Sequence, residues 1–550
     1  MKNCIYDLDD LDDFYNAHLY IDKLSEKYVR SLSASLNTIH NKKESIEYWN
    51  LIIGFWLRKY LSVLYYHYSF VKLSKNFNSK DLVGGQIVPI DTLTYADLIN
   101  KKEYVENLRY SINAILGQNT FQNSKKNFIY YKKKSLTLNI KDSARFALFR
   151  VLNIVFYKQA KTIIFIKNSY FDIVSLFKIS RLINSRVIFL NFKKKSNWGF
   201  GCSIDYLKRE VLSNTLPNLS EFEQIVNALI PYNIPACYIE LHSQLEGSIS
   251  NNFSNTDGSI IFSANSWDYD EEFKIFAAHM KKEYGAKLIA MQHGGNFGSV
   301  KRLYVEDYQR KVSDYFVTWG WSETNNNAIV PLPASKLINH KDVGASLTFK
   351  NKSRIVFITA SPPEFFIDFR YMPSYRERYI ADQVLFYNSL NASVINNITV
   401  RLYQSDIKEL ITNVWTNKNV SFENWDVSLV ESIKRSKLFI CDHLMTTFVE
   451  ALVMNIPCVL FWRDDLSTGT LRQDSEKHFE KLRKAGILYN NPLDAANFVN
   501  NIYLDGIDSW WFSKPVQAAR LNFCKYYAKK SDEPYAEWSI FFNNISGELA

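Results

Sequence analysis

The sequence predicts an α/β protein with two domains, each built on a mainly parallel sheet, and three observations support this. The chain has 550 residues, more than one hydrophobic core usually serves. Short apolar runs alternate with longer helical segments, as in strand–helix–strand units with parallel strands. The alternation stops between residues 325 and 352 and then restarts. The predicted division is a helical extension over residues 1–80, a Rossmann-like N-terminal domain over 81–335, and a Rossmann-like C-terminal domain with a helical tail over 350–550.

The helical extension is predicted from residues 44–71 (ESIEYWNLIIGFWLRKYLSVLYYHYSFV), a long apolar segment without proline. Apolar side chains recur there at positions i, i+3, i+4, i+7 and i+8, namely Trp49, Ile52, Ile53, Trp56 and Leu57. This helix face is expected to lie in the core. Arg58, Lys59 and His67 lie within the same segment, which argues against a membrane span.

The N-terminal domain is predicted from four apolar runs that suit strands better than helices. These runs are residues 162–167 (TIIFIK), 186–191 (RVIFLN), 259–263 (SIIFS) and 288–291 (LIAM). A helix over residues 271–284 is expected to end at Gly285, because glycine suits the left-handed conformation that follows many helices. The spacing of strand, helix and strand indicates a parallel sheet.

The C-terminal domain repeats this pattern. Its predicted strands are residues 354–359 (RIVFIT), 398–403 (ITVRLY), 438–441 (LFIC) and 457–461 (PCVLF). A helix is expected over residues 374–389, and the chain from about 474 to 545 is expected to be mainly helical. Two such domains facing one cleft are typical of nucleotide-sugar transferases of the GT-B type. Phosphorylases, epimerases and periplasmic binding proteins share the arrangement, so architecture alone leaves the chemistry open.

A glycine-rich loop, QHGGNFG at residues 292–298, follows the last strand of the N-terminal domain. A parallel strand that stops at glycines delivers its loop to the carboxyl edge of the sheet, where ligands bind. Gly294 and Gly295 would let a ligand approach backbone N–H groups, so both are donor-binding candidates. His293 titrates near neutral pH and is a catalytic candidate. The alternative is a tight turn with a structural histidine.

A second candidate loop follows the third strand of the C-terminal domain and begins with Asp442 and His443. Because side chains alternate along a strand, at most one of these two is expected to face the cleft. Thr446 and Thr447 precede a helix whose N-terminus can bind a phosphate, and Glu450 lies within reach of a ribose diol. All five are donor-binding candidates. Thr447 and Glu450 also fit a capping box, in which they would satisfy only the helix backbone.

A general base in the cleft would be a carboxylate or a histidine. Asp314 is the second catalytic candidate, although Glu306 and Asp307 lie close by and the spacing does not select among the three. Arg401, near the end of a predicted strand, is a further donor-binding candidate because arginine pairs well with phosphate or carboxylate. The alternative for Arg401 is a surface position.

Metal and cofactor binding have little support. No HExxH, GxGxxG or P-loop motif occurs, which leaves metalloprotease, dehydrogenase and NTPase functions unsupported. Two Asp-x-Asp candidates are Asp7 with Asp9, in the acidic N-terminus, and Asp268 with Asp270. The second pair runs into two more acidic residues, so stabilisation of a helix N-terminus is the favoured explanation. We expect no metal and no separate cofactor.

The composition excludes other classes. Six cysteines are scattered without a CxxC pair, and the acidic N-terminus lacks the apolar core of a signal peptide, so a cytoplasmic protein is expected. The net charge of +10 includes short lysine runs at 125–126, 132–134 and 193–195. Such runs are usually solvated faces, and the alternative is an anionic partner such as a nucleotide, a charged glycan or a membrane surface. No nucleic-acid-binding motif accompanies them, so no nucleic acid is expected as a partner.

Several motifs together resemble one protein family. QHGGNFG at 292–298, followed by SDYFVTWGW at 313–321, is similar to the surface-carbohydrate transferases first described in Leptospira, in which a QHGG-aromatic-G run precedes a D-x-x-x-x-W-G-W run. The similarity continues in order through YWNLIIGFWL (48–57), RLY (401–403), CDHLMTTFVEALVMNIPCVLFW (441–462), HFEKLRKAGIL (478–488), WW (510–511) and ARLNFC (519–524).

This resemblance implies a GT-B-like glycosyltransferase that uses a CMP-activated keto-sugar. It implies a role in lipopolysaccharide, capsule or flagellar glycans that contain nonulosonic acids. The expected partners are a nucleotide-sugar donor, held by the C-terminal domain, and a glycan or glycoprotein acceptor near His293. Peripheral contact with the inner membrane is also expected. The alternatives are a nucleotide-sugar epimerase or phosphotransferase on the same scaffold, and a non-catalytic glycan-binding assembly protein.

Overall fold

Two parallel six-stranded sheets organise the chain, one in each predicted α/β domain. The three lysine runs of the sequence lie outside the residues that the structure describes. The computed structural model describes residues 5–73, 102–117, 147–190, 203–213, 219–250, 258–344, 352–360, 362, 366, 369–403, 415, 420–466, 469–504 and 506–549.

The N-terminal sheet has the strand order β2-β1-β3-β4-β5-β6, with every neighbouring pair parallel. Its strands are β1 Ile163–Lys167, β2 Arg186–Phe189, β3 Ile260–Ser263, β4 Lys287–Met291, β5 Tyr315–Thr318 and β6 Ile329–Pro331. Because the chain leaves β1 first to one side and then to the other, the strand order reverses between β1 and β3. In open α/β sheets, ligands bind beyond the carboxyl ends of the strands at such a point.

Helices surround this sheet and form the predicted N-terminal extension. They are α1 Leu11–His40, α2 Ile46–Leu73, α3 Lys102–Leu116, α4 Ile173–Leu182, α5 Tyr206–Glu210, α6 Glu221–Asn233, α7 His242–Ser250, α8 Ser266–Tyr269, α9 Glu271–Tyr284 and α10 Tyr304–Val312. Both ends of α9 follow from sequence. The Asp270 side chain accepts a hydrogen bond from the backbone N–H of Phe273, and Gly285 ends the helix with φ of 61°.

Helix α2 is the centre of the helical extension. The apolar face predicted for it is buried. Residues on nearly all other sides of the helix are buried as well, so the prediction of one core-facing side covered only part of the buried surface. Helices α1, α3, α6, α9 and α10 pack around it. The hydroxyls of Tyr304 and Tyr308 donate to the backbone carbonyls of Gly54 and Leu51, at 2.9 and 2.8 Å. These bonds fix α10, and with it the segment after the glycine-rich loop, against the extension.

The C-terminal sheet has the order β12-β11-β10-β7-β8-β9 and is also parallel. Its strands are β7 Ile355–Ile358, β8 Ile398–Arg401, β9 Ser421–Phe422, β10 Leu438–Cys441, β11 Cys458–Phe461 and β12 Leu488–Tyr489. The strand order reverses between β7 and β10. Its helices are α11 Tyr375–Asn388, α12 Ala392–Ile395, α13 Leu429–Lys434, α14 Thr446–Val453, α15 Gln473–Lys484, α16 Pro492–Tyr503, α17 Ile507–Trp511, α18 Lys514–Tyr527 and α19 Pro534–Leu549.

Of the twelve strands in the described part of the chain, β5, β6, β9 and β12 were not predicted. Three of them, β6, β9 and β12, are short strands at the edges of the sheets. β6 lies inside the segment 325–352 that the sequence marked as a linker. It pairs only with β5, and this edge position tolerates Pro331, which lacks a backbone N–H. β9 and β12 have two residues each and lie at the two edges of the C-terminal sheet, so neither contains a long apolar run.

The last helix, α19, returns to the N-terminal domain, although the sequence division groups it with the C-terminal one. Trp538 is fully buried, and its Nε1 donates to the carbonyl of Pro333 at 2.9 Å. Its ring lies 4.9 Å from that of Phe171, between centroids. The hydroxyls of Ser185 and Ser546 are 2.8 Å apart. Within the described ranges, no helix is both long and apolar enough to cross a bilayer.

We expect Trp538→Ala to lower the free energy of unfolding by about 3–5 kcal/mol, because it leaves a large cavity between α19 and the first sheet. Ile540→Ala, on the same helix but 58% exposed, should change it by less than about 1 kcal/mol. Urea unfolding followed by tryptophan fluorescence and circular dichroism measures both. Equal effects from the two substitutions would contradict the packing of α19 on the first sheet.

Candidate functional site

The glycine-rich loop after β4 is held by the buried side chain of Gln292. Its Oε1 accepts hydrogen bonds from the backbone N–H of Trp319 and from Nε1 of Trp321, both at 2.9 Å. Its Nε2 donates to the carbonyl of Gly294 at 2.9 Å. Gly298 has φ of +69°, and a Cβ there would lie 2.4 Å from the Trp321 indole. The QHGGNFG and WGW motifs of the sequence therefore form one structural unit.

His293 lies at the lip of this loop, beyond the carboxyl end of β4. Its Nδ1 is 3.5 Å from the carbonyl of Met291. Its ring stacks on that of Tyr170 at 6.3 Å and lies 4.7 Å from that of Phe297, between centroids. Burial lowers the pKa of His293 to about 4, against the effect of the Met291 and Ala264 carbonyls. The ring is therefore neutral at pH 7.

Asp268, in the short helix α8 after β3, faces His293. Its Oδ1 accepts a hydrogen bond from Nε2 of Gln309 at 2.9 Å. Its Oδ2 is buried without a hydrogen-bond partner among the described residues and lies 3.9 Å from Nε2 of His293. Burial raises the pKa of Asp268 to about 7. Helix stabilisation was the explanation favoured for this Asp-x-Asp pair, and it holds for Asp270, which caps α9, but not for Asp268.

Asp314 was predicted as a catalytic residue, and this prediction is wrong. It directly precedes β5, and its Oδ2 accepts a hydrogen bond from the backbone N–H of Leu288 at 2.7 Å, near the start of β4. Nζ of Lys281 lies 2.8 Å from its other oxygen. His293 follows the end of β4, so the two candidates lie at opposite edges of the sheet. Asp314 is therefore remote from the cleft.

The first residues after β10 form a charged pair in the C-terminal domain. Asp442 accepts hydrogen bonds from the hydroxyl of Tyr379 and from Nε2 of Gln383, both at 2.8 Å, and lies 3.0 Å from Nδ1 of His443. Burial opposes a charge on His443, but the neighbouring Cys441 and Asp442 outweigh it and raise the pKa of His443 to about 10. His443 is therefore a cation at pH 7.

Two adjoining cavities meet at His443. The first lies inside the C-terminal domain, between α11 and the carboxyl ends of β10 and β11, and both Asp442 and His443 line it. Both reach it because β10 ends at Cys441 and strand alternation does not extend further. The second cavity opens between the two domains, and of this pair only His443 lines it, which agrees with the expectation that at most one of them faces the cleft. Its charged lining residues are Arg302, Arg370 and His443, and none of the described residues around it is acidic.

The predicted helix N-terminus is present, but its side chains have other roles than expected. Helix α14 begins at Thr446, its N-cap residue is Met445, and no side chain caps it, so Thr447 and Glu450 do not form a capping box. Glu450 is buried, and its Oε1 lies 2.9 Å from Nζ of Lys336 in the N-terminal domain. This ion pair joins the domains and occupies the carboxylate that was predicted to bind a ribose.

Arg401 is neither a surface residue nor open to a ligand. It is buried at the end of β8, and its Nη1 donates to Oε2 of Glu423 at 2.6 Å and to the carbonyl of Val427 at 3.0 Å. Its guanidinium lies 4.8 Å from the centre of the Trp425 ring. Arg401 therefore forms a structural ion pair with Glu423, and neither the predicted donor-binding role nor the alternative surface position describes it.

The two predicted loops touch directly at Gly295. A Cβ at this position would lie 2.3 Å from the carbonyl oxygen of Met445 and 2.8 Å from Cγ2 of Val449. Only a residue without a side chain allows this approach. The contact brings the glycine-rich loop, with His293, Gly294 and Gly295, against the segment that carries His443, Thr446 and Thr447, whereas Asp442 lines the cavity inside the C-terminal domain.

A family model described as "LIC12162 family transferase" matches residues 2–542 of the chain. The chain belongs to this transferase family. The resemblance seen in the sequence is thereby confirmed. No curated protein matches the chain significantly. The two parallel sheets facing one cleft are the architecture of GT-B glycosyltransferases, which confirms the predicted fold class.

Solved structures show only distant similarity to this LIC12162-family transferase. The wall teichoic acid polymerase TagF is 12% identical with a TM-score of 0.33, covering 76% of this chain and 98% of its own. WaaG, a glycosyltransferase involved in lipopolysaccharide biosynthesis, is 12% identical with a TM-score of 0.28, covering 69% and 99%. The glycosyltransferase SnogD from Streptomyces nogalater is 12% identical with a TM-score of 0.36, covering 71% and 100%. The fold assignment rests on the sheet topology and not on these scores.

Sequence reasoning missed Arg302 and did not select Arg370 or Asp268, the other two charged residues of the cleft in this transferase. Arg302 and Arg370 lie in irregular segments without a motif, and only the meeting of the two domains brings them together. Asp268 was noticed for its spacing but assigned to a helix N-terminus. The signal that separates it from Asp270 is its burial, which sequence does not show. The described parts of the chain contain no cluster of three or more His, Cys, Asp or Glu side chains that could hold a metal ion.

We expect Gly295→Ala to destabilise the transferase by about 1–3 kcal/mol, because its Cβ would overlap the backbone at the start of α14 and push the domains apart. The matched control is Gly247→Ala. A Cβ at Gly247 meets nothing within 4 Å, and alanine there should be neutral or stabilise α7 by about 0.5–1 kcal/mol. Thermal unfolding compares the two variants. A Gly295→Ala protein as stable as the control would contradict the close contact of the loops.

Proposed function

We propose that this transferase is a GT-B glycosyltransferase that moves a sugar from a nucleotide-linked donor to a hydroxyl of a surface-glycan or glycoprotein acceptor. The observation that carries the proposal is the interdomain cavity, where Arg302, Arg370 and His443 converge without an acidic side chain among the described lining residues. This cavity adjoins the carboxyl edges of both sheets, which are the usual ligand-binding edges of parallel sheets.

The charge of this cavity suits the part of the donor that becomes the leaving group. When a glycosyl–phosphate bond breaks, negative charge develops on the phosphate oxygen, and fixed cations nearby stabilise it. Arg302 makes no hydrogen bond or ion pair with a described residue, so its guanidinium remains available for a phosphate. Cys441 and Asp442, the latter 3.0 Å from Nδ1, raise the pKa of His443 and favour its protonated form. Arg370 stacks over the Tyr371 ring at 5.3 Å, at the rim of the same cavity.

The adjoining cavity in the C-terminal domain has the character of a site for the nucleoside. Tyr375, Tyr379 and Trp462 contribute aromatic surface to its wall, and Asp382 and Asp442 contribute carboxylates. Aromatic rings stack with nucleobases of any identity, whereas carboxylates accept hydrogen bonds from exocyclic amines or ribose hydroxyls. Both cavities share His443, so a nucleoside in the first would place its phosphate beside the cations of the second.

We further propose a CMP-linked nonulosonic acid as the donor. This part of the proposal rests on the sequence resemblance, with support from charge. Such a donor carries two anionic groups at the reacting carbon, a phosphate and the carboxylate of the sugar, and the interdomain cavity offers three cations. The backbone N–H groups at the start of α14, beside Thr446 and Thr447, border the same cavity through Met445. A cytoplasmic location with peripheral contact to the inner membrane belongs to the same proposal.

The first test is thermal stabilisation of the purified protein by CMP, UMP, UDP, GDP and ADP at equal concentrations. A ligand that binds only the folded state raises stability by about 2.7 kcal/mol at a hundredfold excess over its Kd. We expect the largest shift with CMP, and we expect Arg302→Ala and Arg370→Ala each to remove most of it. Arg435→Ala, which removes an exposed arginine paired only with Glu431, should leave the shift unchanged.

Other results of this experiment would contradict particular parts of the proposal. A larger shift with UDP or GDP would retain the glycosyltransferase and overturn the CMP-linked donor. A shift with CMP that Arg302→Ala and Arg370→Ala leave intact would contradict the placement of the phosphate. No shift with any nucleotide would contradict the donor site. Release of nucleotide from the donor without an added acceptor, together with a free epimerised sugar, would identify an epimerase.

A further inference from the structure

Outside the cationic cavity, Asp268 and His293 face each other with no proton donor from a described residue between them. Oδ1 of Asp268 is occupied by Gln309, whereas Oδ2 has no partner among the described residues. Nδ1 of His293 lies 3.5 Å from the Met291 carbonyl, an acceptor, which favours the tautomer with the ring proton on Nδ1 and the lone pair on Nε2. Nε2 and Oδ2 are thus two acceptors, 3.9 Å apart. A hydroxyl oxygen can lie about 2.8 Å from both, and its one proton is then donated to one of the two acceptors.

The position of this pair in the fold is that of a ligand site. Asp268 follows β3, and Tyr170, which stacks on His293, follows β1, so the pair lies where the strand order of the N-terminal sheet reverses. Tyr170 has φ of 58°, an uncommon conformation for a bulky side chain, and its ring is partly exposed above His293. Such strained backbone is concentrated at binding and catalytic sites. Tyr170 is therefore the side chain that an incoming acceptor meets first.

Resting on the proposed function, we propose that Asp268 is the general base of the transfer and that the ring of His293 forms the opposite side of the pocket for the acceptor hydroxyl. The hydroxyl lies between Oδ2 of Asp268 and Nε2 of His293, and it donates its one hydrogen bond to Oδ2. As its oxygen bonds to the anomeric carbon of the donor sugar, its proton passes to Oδ2. The bond between the anomeric carbon and the phosphate oxygen breaks, and its electron pair leaves with the nucleotide phosphate, beside Arg302, Arg370 and His443.

The electrostatic surroundings suit a base that works near neutral pH. Burial raises the pKa of Asp268 to about 7, although the Gln309 hydrogen bond and nearby cations act in the opposite direction. The charged and titratable groups that face it from the surrounding elements are Lys59, Tyr170, Lys274, His293, Tyr304, Tyr308 and Arg370. A purely structural carboxylate would be expected to have both oxygens hydrogen-bonded.

The test is turnover of a panel of CMP-, UDP- and GDP-linked sugars by the full-length protein, measured as nucleotide release with a free oligosaccharide as acceptor. We expect Asp268→Asn to lower kcat about 10²- to 10⁴-fold, with the Kd for the free nucleotide unchanged. Asp268→Glu should recover part of the loss. The matched control is Asp270→Asn, two residues away, which keeps a capping side chain at the start of α9 but removes the ion pair with Lys167, and it should keep kcat within about threefold of the wild type.

The outcomes separate this assignment from the proposed function. A wild-type enzyme that releases nucleotide while Asp268→Asn stays within tenfold of it overturns the base and leaves the glycosyltransferase intact. A wild-type enzyme that binds nucleotide but turns over no donor contradicts the proposed function and the base with it. If Asp270→Asn lost as much kcat as Asp268→Asn, the loss would reflect disruption of α8 and α9, and the assignment to Asp268 would fall.

The pH dependence provides a second readout. The base must be ionised, so kcat/KM for the wild type should fall tenfold per pH unit below an apparent pKa of about 7. The free energy of unfolding should decrease with rising pH over the range in which kcat/KM increases. Because the folded-state pKa is raised above the unfolded value, the ionised carboxylate destabilises the fold progressively between pH 4 and 7 and fully above it. Asp268→Asn should therefore be inactive yet have a Tm at pH 8 no lower than that of the wild type. A wild type without this acid limb, or a variant with a lower Tm, would contradict the proposal.

Discussion

The buried amide of Gln292 is the interaction on which the candidate site depends. One oxygen receives two N–H groups from the WGW segment, and the nitrogen returns a hydrogen bond to its own loop. Removing it would leave the Trp319 and Trp321 N–H groups buried and unpaired, and each such loss costs about 1–3 kcal/mol. This bonding sets the path of the chain after β4. His293 then lies at the carboxyl edge of the sheet, and the backbone of Gly295 contacts the C-terminal domain.

A second polar centre connects that loop to the C-terminal domain. The fully buried carboxylate of Glu306 accepts the backbone N–H of Gly298 at 2.7 Å and pairs with Arg472 at 2.8 Å. Ser475 donates to the carbonyl of Gly298 at 3.0 Å, and Val300 forms a β-bridge with Leu471. A buried carboxylate is stable only when it keeps its cation. The position of the loop is therefore tied to the arrangement of the two domains, and residues on one side of the cleft cannot move without affecting the other.

Most strands were predictable from local sequence patterns, and the strands that were missed have physical explanations. Strands that are buried on both faces form continuous apolar runs, so β1, β3, β7, β10 and β11 were found within a residue or two. β5 was missed as a strand because its four residues were treated only as part of the WGW motif. That omission explains the error at Asp314. A residue that directly precedes a parallel strand lies at the amino edge of the sheet, and recognising β5 would have excluded Asp314 from the cleft.

The candidate site was predictable where it depends on the chain beside it and not where it depends on distant segments. Strand ends and glycines located His293, Gly295 and His443. The partners that decide the role of a charged residue, such as Glu423 for Arg401 or Lys336 for Glu450, are far away in sequence. Pairing of this kind is fixed by tertiary packing, so no spacing rule could indicate that Arg401 and Glu450 were already occupied.

The return of α19 to the first sheet has a consequence for how the chain is made. The ribosome releases the N-terminal sheet hundreds of residues before Pro534–Leu549 emerge, and until then the surface that Trp538 covers, including Phe171 and Phe262, stays open to water. The first of the two sheets to be synthesised is thus completed by a segment that follows the whole second sheet. Native packing of the N-terminal half therefore waits until the second sheet has been synthesised, and chaperones that shield apolar surface during elongation would have this face as their target.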